Sequence, residues 1–299
     1  MATALLGLGS NLGDREGTLR AAMEEIDGLP NVRVVKHSAW HRFAPLGGAP
    51  GQAEFLNGAA VVETTIPPLA FLDNLQRIES RHARERSERW AARTLDIDLL
   101  LYGDAVIEMP ALVVPHLRMS FRRFVLEPAK EVAPKMIHPV IGWPVERLLL
   151  HLNAARSEAV LLSPSEALRN EVADSVAERF GAAVIERPTF KTADALWPAA
   201  YASWLSLGDV SEPNKAPASK PGGLAYAAAA FPKLTILLDA GNEPGRTRKT
   251  EWSATVRQPG RGPTLRLQTA DPAAIRTEVF AAIESVWPEL GPRIANRLE

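Results

Sequence analysis

Cysteine is absent from this 299-residue chain, which excludes a disulfide framework, a thiolate metal site and a cysteine nucleophile, and fits a reducing cytoplasm. A charge excess is missing too: 34 Lys+Arg stand against 35 Asp+Glu, a net charge of -1. The chain is therefore neither a generally basic nucleic-acid coat nor an acidic tail, and any cationic site must be local. No apolar run approaches the roughly 18 residues of a membrane span. The start, Met1-Ala2-Thr3-Ala4-Leu5-Leu6-Gly7, has neither the basic opening nor the apolar length of a signal peptide. No internal repeat occurs. These absences predict a soluble, cytoplasmic protein with no nucleic-acid or membrane partner.

What is present is ordinary globular material, 46% apolar, and its length suits two domains. In the first half, Ala4 to Gly9 is a short apolar strand. Arg15 to Ile26 carries Leu19, Ala22, Met23 and Ile26 on one helical stripe. Val32 to Arg42 and Phe55 to Thr64 are rich in β-branched and aromatic residues and predict strands. Pro67-Pro68 opens a helix to about Arg81. Leu95 to Tyr102 is a further strand, Ser120 to about Leu126 is helical, and Trp143 to Leu152 closes this half with a short amphipathic helix. Strands that follow one another directly, mixed with helices, predict an α+β domain over residues 1–153.

The chemistry concentrates in Arg84 to Leu100. In a strand, Asp96 and Asp98 project to one face while Ile97 and Leu99 enter the core. Two adjacent carboxylates repel and call for a cation; hard Mg²⁺ shared with a polyphosphate suits them. A solvated strand edge with two harmless acids is the plainer alternative. Arg84, Arg86, Arg89 and Arg93 crowd the preceding loop, where guanidinium forks suit phosphate oxygens, although Glu85 and Glu88 offer local pairing instead. Val114 to Leu126 adds His116, Arg118, Arg122 and Arg123; His116 suits phosphate contact or proton transfer, or an ordinary structural place.

Leu8-Gly9-Ser10-Asn11-Leu12-Gly13-Asp14, Phe55-Leu56-Asn57-Gly58-Ala59, Arg84-Glu85-Arg86 with Arg89-Trp90, Arg93-Thr94-Leu95-Asp96-Ile97-Asp98, Pro115-His116 and Arg122 with Phe124-Val125-Leu126 occur in order and at matching spacing. Over about residues 1–153 the chain thereby resembles the 6-hydroxymethyl-7,8-dihydropterin pyrophosphokinases of folate biosynthesis. The resemblance implies a ferredoxin-like α+β fold that takes ATP as co-substrate and a reduced pterin, moves the terminal diphosphate to the pterin hydroxymethyl oxygen and releases AMP. By the same resemblance, Asp96 and Asp98 hold two Mg²⁺ ions, and Arg84, Arg93, His116 and Arg122 contact nucleotide or phosphates. Arg86 and Trp90 lie on a mobile catalytic loop, and Gln76 and Glu79 lie near the nucleotide. Phe55 and Phe124 sandwich the pterin ring, Asn57 bonds its edge, and backbone groups around Pro45, Leu46 and Gly47 assist. Three departures stand out: Trp90-Ala91-Ala92-Arg93 for Trp-Gly-Pro-Arg, Phe43-Ala44 for Thr and a small residue or Pro, and Ala83 for Gly.

Residues 154–299 alternate strand and helix, which predicts a doubly wound α/β domain. Its strands are Glu158 to Leu162, Ala182 to Ile185, Leu234 to Leu238 and Thr264 to Leu267. Its helices run from a Ser163-Pro164-Ser165-Glu166 start to Phe180 and from Asp271 to Trp287, with a Pro/Gly-rich insert from Ser211 to Gly223. Phe231 to Ala240 and the closing segments look like the back half of a deoxynucleoside or thymidylate kinase. Yet Leu162 to Arg169 has neither glycine nor lysine, so the phosphate cradle of that class is missing. The expectation is a degenerate kinase-like domain used for packing or self-association. An unrelated α/β domain, or a kinase using Arg246, Arg248 and Lys249, are the alternatives. For the whole chain the competing classes are a Mg-dependent nucleotidyltransferase and a non-catalytic nucleotide-binding module.

Overall fold

The computed structural model describes residues 1–45, 53–82, 94–185, 202–207, 231–238, 262–269 and 271–290. It divides into two compact units, Met1–Leu149 and Leu150–Glu299. The arginine loop, the Ser211 to Gly223 insert and Arg246, Arg248 and Lys249 lie outside the described residues. Among the described residues no helix is long and apolar enough to cross a membrane.

The N-terminal unit is α+β on an antiparallel sheet of β1 (Ala2–Ser10), β2 (Val32–His37), β3 (His41–Phe43), β4 (Phe55–Thr64) and β5 (Asp96–Tyr102). The order is β2-β4-β1-β5, with β3 also on β4. Helix α1 (Arg15–Asp27) leads from β1 to β2, and α2 (Pro68–Arg81) from β4 to β5, a βαββαβ path when β2 and β3, which both pair with β4, count as one strand. Asp14 caps α1 by accepting from the Gly17 N–H at 3.0 Å. Leu19, Ala22 and Ile26 of α1 and Phe71, Leu75 and Ile78 of α2 are fully buried. They meet Leu6, Leu8, Leu56, Val62, Ile97 and Leu99 in one core. Each large apolar side chain so buried contributes about 1.5–3 kcal/mol, so a one-residue slip of any strand would forfeit its share of that core.

The single strand expected over Val32 to Arg42 is interrupted at Ser38–Trp40, and its two halves, β2 and β3, both pair with β4. The cause is Gly58: a Cβ there would lie 2.4 Å from the Trp40 ring. The bare backbone lets the indole cross β4, while Ser38 exchanges hydrogen bonds with Ala59 through Oγ and backbone, each at 2.9 Å. The helix expected from Ser120 is also displaced. A 3₁₀ turn covers Met119–Phe121, Arg122 is extended, and α3 runs Arg123–Val132. This helix packs on β4, β3 and β1, on the face away from α1 and α2. Short hairpins β6 (Ile107–Met109) with β7 (Leu112–Val114), and β8 (Ile137–His138) with β9 (Trp143–Pro144), follow. Helix α4 (Val145–Ala154) contains the boundary between the units.

His138 carries a pH prediction. It is 6% exposed, its Nδ1 accepts from the Ile141 N–H at 3.3 Å, and burial pushes its pKa from 6.5 down to about 4. The unfolded chain therefore binds this proton first as pH falls. The stabilisation is complete above pH 6.5 and is lost toward pH 4, by about 3 kcal/mol. Urea unfolding between pH 7 and pH 4 checks this: wild type should weaken more than His138→Gln by about that amount.

The C-terminal unit holds a mixed sheet of β10 (Glu158–Leu162), β11 (Ala183–Ile185), β12 (Ala202–Ser206), β13 (Leu234–Leu238) and β14 (Thr264–Leu267), in the order β11-β12-β10-β13-β14. Only β10, β13 and β14 run parallel. The other described pairings, β12 on β10 and on β11, are antiparallel, so the sheet is mixed and not the parallel sheet expected of a doubly wound domain. Strand β12 carries no sequence signal beyond five residues of mixed character. The described helices of this unit longer than one turn are α5 (Glu166–Phe180) and α6 (Pro272–Val286). Ser165, not Ser163, caps α5, and Gly181 closes it at φ +68°.

Candidate active site

One cross-strand row organises the α3 face of the N-terminal sheet. Gly9 of β1 pairs with Asp96 of β5 on one side and Asn57 of β4 on the other, and Asn57 pairs with His41 of β3. In the neighbouring rows Gly7 stands opposite Asp98, and Phe43 opposite Phe55. Opposed residues share a face. Asp96, Asp98, Asn57, Phe55 and Phe43 thus share the α3 face, while Ile97, Leu99 and Leu56 point into the core shared with α1 and α2.

At the acidic end, the Asp98 side chain is one-third exposed and its Oδ2 lies 4.0 Å from His116 Nε2. His116 Nδ1 accepts from the Arg118 N–H at 3.2 Å, which assigns the ring proton to Nε2. Burial, then the Arg122 and Arg118 guanidinium groups, push the His116 pKa down to about 3, against the pull of Asp96. The ring is therefore a neutral donor at cellular pH. A cleft of about 300 Å³ joins Gln76 and Glu79 of α2 to Asp98, His116 and Arg118, and the rest of its wall is largely apolar. Glu79, expected near the nucleotide, is 1% exposed and accepts from the Ile97 N–H at 2.9 Å. The outer edge of β5 is covered further along as well, where Leu100 O accepts from the His116 N–H at 2.9 Å.

Two carboxylates on one face suit a hard divalent cation that completes its shell with water and phosphate oxygens. Among the described residues no group of three His, Asp or Glu could hold a metal by itself.

At the aromatic end, Phe55 and Phe124 come from β4 and the first turn of α3. Phe43 stands edge-on to Phe124, with centroids 6.3 Å apart, and the Arg122 guanidinium lies 5.2 Å from the Phe124 centroid. Arg122 is 8% and Asn57 7% exposed. The Asn57 amide sits over Gly9, where an added Cβ would fall 2.8 Å from Oδ1. Gly9→Ala should therefore turn Asn57 aside while leaving β5 in place, because the nearest atoms to that Cβ belong to Asn57 and Leu56. Losing one buried hydrogen bond to a ligand costs about 1–3 kcal/mol. If Asn57 bonds the ring edge as the resemblance implies, steady-state kinetics should show a rise of about fivefold or more in KM for that substrate, with nucleotide affinity unchanged.

Pro45 is half-buried just beyond β3; Leu46, Gly47, Arg84, Arg86, Trp90 and Arg93 lie outside the described residues. Three residues of the surface carry no site role on sequence grounds: Phe43, Gly9 and Arg118. Phe43 shows in the sequence only as a departure, Gly9 only within a motif, and Arg118 only in its spacing of two from His116.

The N-terminal part of the chain has relatives among known proteins. The family model for 7,8-dihydro-6-hydroxymethylpterin-pyrophosphokinase (HPPK) matches residues 5–134. A 2-amino-4-hydroxy-6-hydroxymethyldihydropteridine pyrophosphokinase of Haemophilus influenzae is 42% identical over 139 residues, 46% of this chain and 86% of the relative. That of Methylorubrum extorquens is 38% identical over 160 residues, 54% of this chain and 99% of the relative. Among solved structures, HPPK-DHPS of Plasmodium falciparum with pteroate is 15% identical at a TM-score of 0.40. The match covers 60% of this chain and 44% of that one, so the chain spans less than half of that two-activity protein.

Proposed function

The chain belongs to the HPPK family through residues 5–134 and its N-terminal unit is a pterin pyrophosphokinase of folate biosynthesis, in which we propose that the α3 face of the sheet is the reaction surface. The observation that carries this proposal is the cross-strand row joining Asp96 through Gly9 to Asn57, flanked by Asp98 and Phe55. It sets an acidic phosphate end and an aromatic ring end on one rigid surface. The β2-β4-β1-β5 order fits the ferredoxin-like fold expected for this class.

In this proposal Asp96 and Asp98 hold the two Mg²⁺ ions, which when bound neutralise triphosphate charge. Phe55, Phe124 and Phe43 stack on or abut the reduced pterin, and Asn57 bonds its edge. Aromatic pairing adds about 0.5–1.5 kcal/mol beyond area burial, enough for orientation but small beside the electrostatic contribution. The cleft beside Gln76 and Glu79 takes the nucleotide. His116 donates Nε2–H to a phosphate oxygen, and Arg122 faces the transferring group, with Arg84, Arg86, Trp90 and Arg93 supplied by the loop. The pterin hydroxymethyl oxygen attacks the β-phosphorus of ATP, the bond from that phosphorus to the bridging α-oxygen breaks, AMP leaves and the hydroxyl proton passes to solvent. Such transfer is mainly positioning and charge neutralisation.

For the C-terminal unit we propose a degenerate nucleoside-kinase-like domain that serves packing or self-association. Supporting this, the turn after β10 lacks glycine and lysine. Its Ser163 carbonyl is already taken by the Arg169 guanidinium, which also reaches Ser203 Oγ at 3.4 Å.

Identification of the nucleotide product with ATP, Mg²⁺ and 6-hydroxymethyl-7,8-dihydropterin tests the N-terminal assignment. AMP release is expected. Pyrophosphate release would indicate nucleotidyl transfer, and no turnover would indicate a binding module.

A further inference from the structure

We propose that Glu79 is a positioning residue: it anchors the free edge of β5 so that Asp96 and Asp98 present their carboxylates in register. This rests on the assignment of those two aspartates as the ion-holding pair. Among the described residues strand β5 is the last in its sheet, paired only with β1, so its outward N–H groups meet no described strand. An unsupported margin can twist or bulge. The outward N–H midway between the two aspartates is that of Ile97, and Glu79 Oε1 accepts it at 2.9 Å.

Three features make this bond an anchor rather than a surface contact. Glu79 is 1% exposed, so water does not compete for the carboxylate. At 2.9 Å the bond has full hydrogen-bond length. The helix that carries it is fixed by Phe71, Leu75 and Ile78, all fully buried. The peptide between the aspartates is thereby tied to the helical layer on the opposite face, while Ile97 itself, 4% exposed, is gripped by the same core. Rotation of this peptide would swing both flanking carboxylates together. Outer-shell partners of this kind typically change metal affinity or activity by about 10- to 100-fold when removed.

Two variants separate reach from charge. Glu79→Asp keeps the charge but withdraws the oxygen by one methylene, and Glu79→Gln keeps the reach but loses the charge. The readouts are calorimetric binding of a nonhydrolysable ATP analogue as a function of Mg²⁺, the ¹H–¹⁵N signal and exchange protection of the Ile97 amide, and the urea midpoint of each protein. Glu79→Asp should raise the half-saturating Mg²⁺ by about tenfold or more and expose the Ile97 amide to exchange. Glu79→Gln should raise it less than Glu79→Asp does and keep that amide protected, because a carboxamide oxygen still accepts the bond. Equal Mg²⁺ effects from both variants, or an unchanged Mg²⁺ requirement in Glu79→Asp when Asp98→Asn raises it, would overturn the positioning role. An unchanged Mg²⁺ requirement in Asp98→Asn would instead overturn the metal assignment on which it rests.

Discussion

Asp98→Asn will lower kcat/KM by about three to four orders of magnitude, equivalent to about 4–5.5 kcal/mol of transition-state stabilisation, while the protein stays folded. The first half of that expectation follows from charge. Asparagine has the size of aspartate and keeps one acceptor oxygen, but it cannot neutralise a dication, and hard cations select anionic oxygen. With only Asp96 left on this face of β5, the triphosphate would lose one of the two fixed charges that hold its ions. The second half follows from the strand. Ile97 and Leu99 on either side remain in the core, and the Asp98 side chain is one-third exposed, so the substitution leaves packing intact and should shift stability by no more than about 0.5 kcal/mol. AMP formation at saturating Mg²⁺, read beside the urea midpoint, checks both. A variant within tenfold of wild-type turnover would remove Asp98 from the ion site. Asp96→Asn should behave alike, since Asp96 occupies the same face one row along.

Alternation along β5 is legible in the amino-acid sequence alone, because a two-residue period settles which side chains share a face. So are the stripe of α1, the Pro67-Pro68 start of α2 and the mixed strand and helix character of the first half, all of which are local. What is not legible depends on two distant segments meeting. Gly58 gives no hint that Trp40, 18 positions earlier, lies against it and breaks one expected strand into β2 and β3. Glu79 stands out in the sequence only by resemblance, as a residue near the nucleotide, and only the sheet order makes the Ile97 N–H an outward group in need of an acceptor. Phe43 reads as a lapse at a polar position. Register places it opposite Phe55 and the fold places it edge-on to Phe124, so it widens an aromatic wall. In the C-terminal unit, β12 is five residues without strong alternation. It becomes a strand because β10 and β11 flank it, a tertiary outcome that no window of sequence contains.

Arg122→Ala will lower kcat/KM by about a thousandfold and Arg122→Lys by about a hundredfold, at the lower end of what an arginine contributes to phosphoryl-type transfer. The side chain is placed for this by the extended residue just before α3. Its guanidinium lies 5.2 Å from the Phe124 ring centroid, and it is the charge that most depresses the His116 pKa. One cation thus neighbours the Phe124 ring and acts on the neutral imidazole donor. Its 8% exposure keeps water from screening it, so its field is stronger than that of a surface arginine. Lysine retains the charge but not the planar fork that grips two phosphate oxygens, hence the intermediate loss. An independent measurement accompanies the kinetics. Removing a neighbouring positive charge favours the protonated ring, so the His116 pKa should rise from about 3 in Arg122→Ala, and should remain below its ordinary value because burial persists. NMR titration of the imidazole reads that shift without substrate. If the His116 pKa stays put while turnover falls, the loss comes from the Phe124 contact and not from charge; if the pKa rises while turnover holds, Arg122 tunes the histidine but does not touch the transferring group.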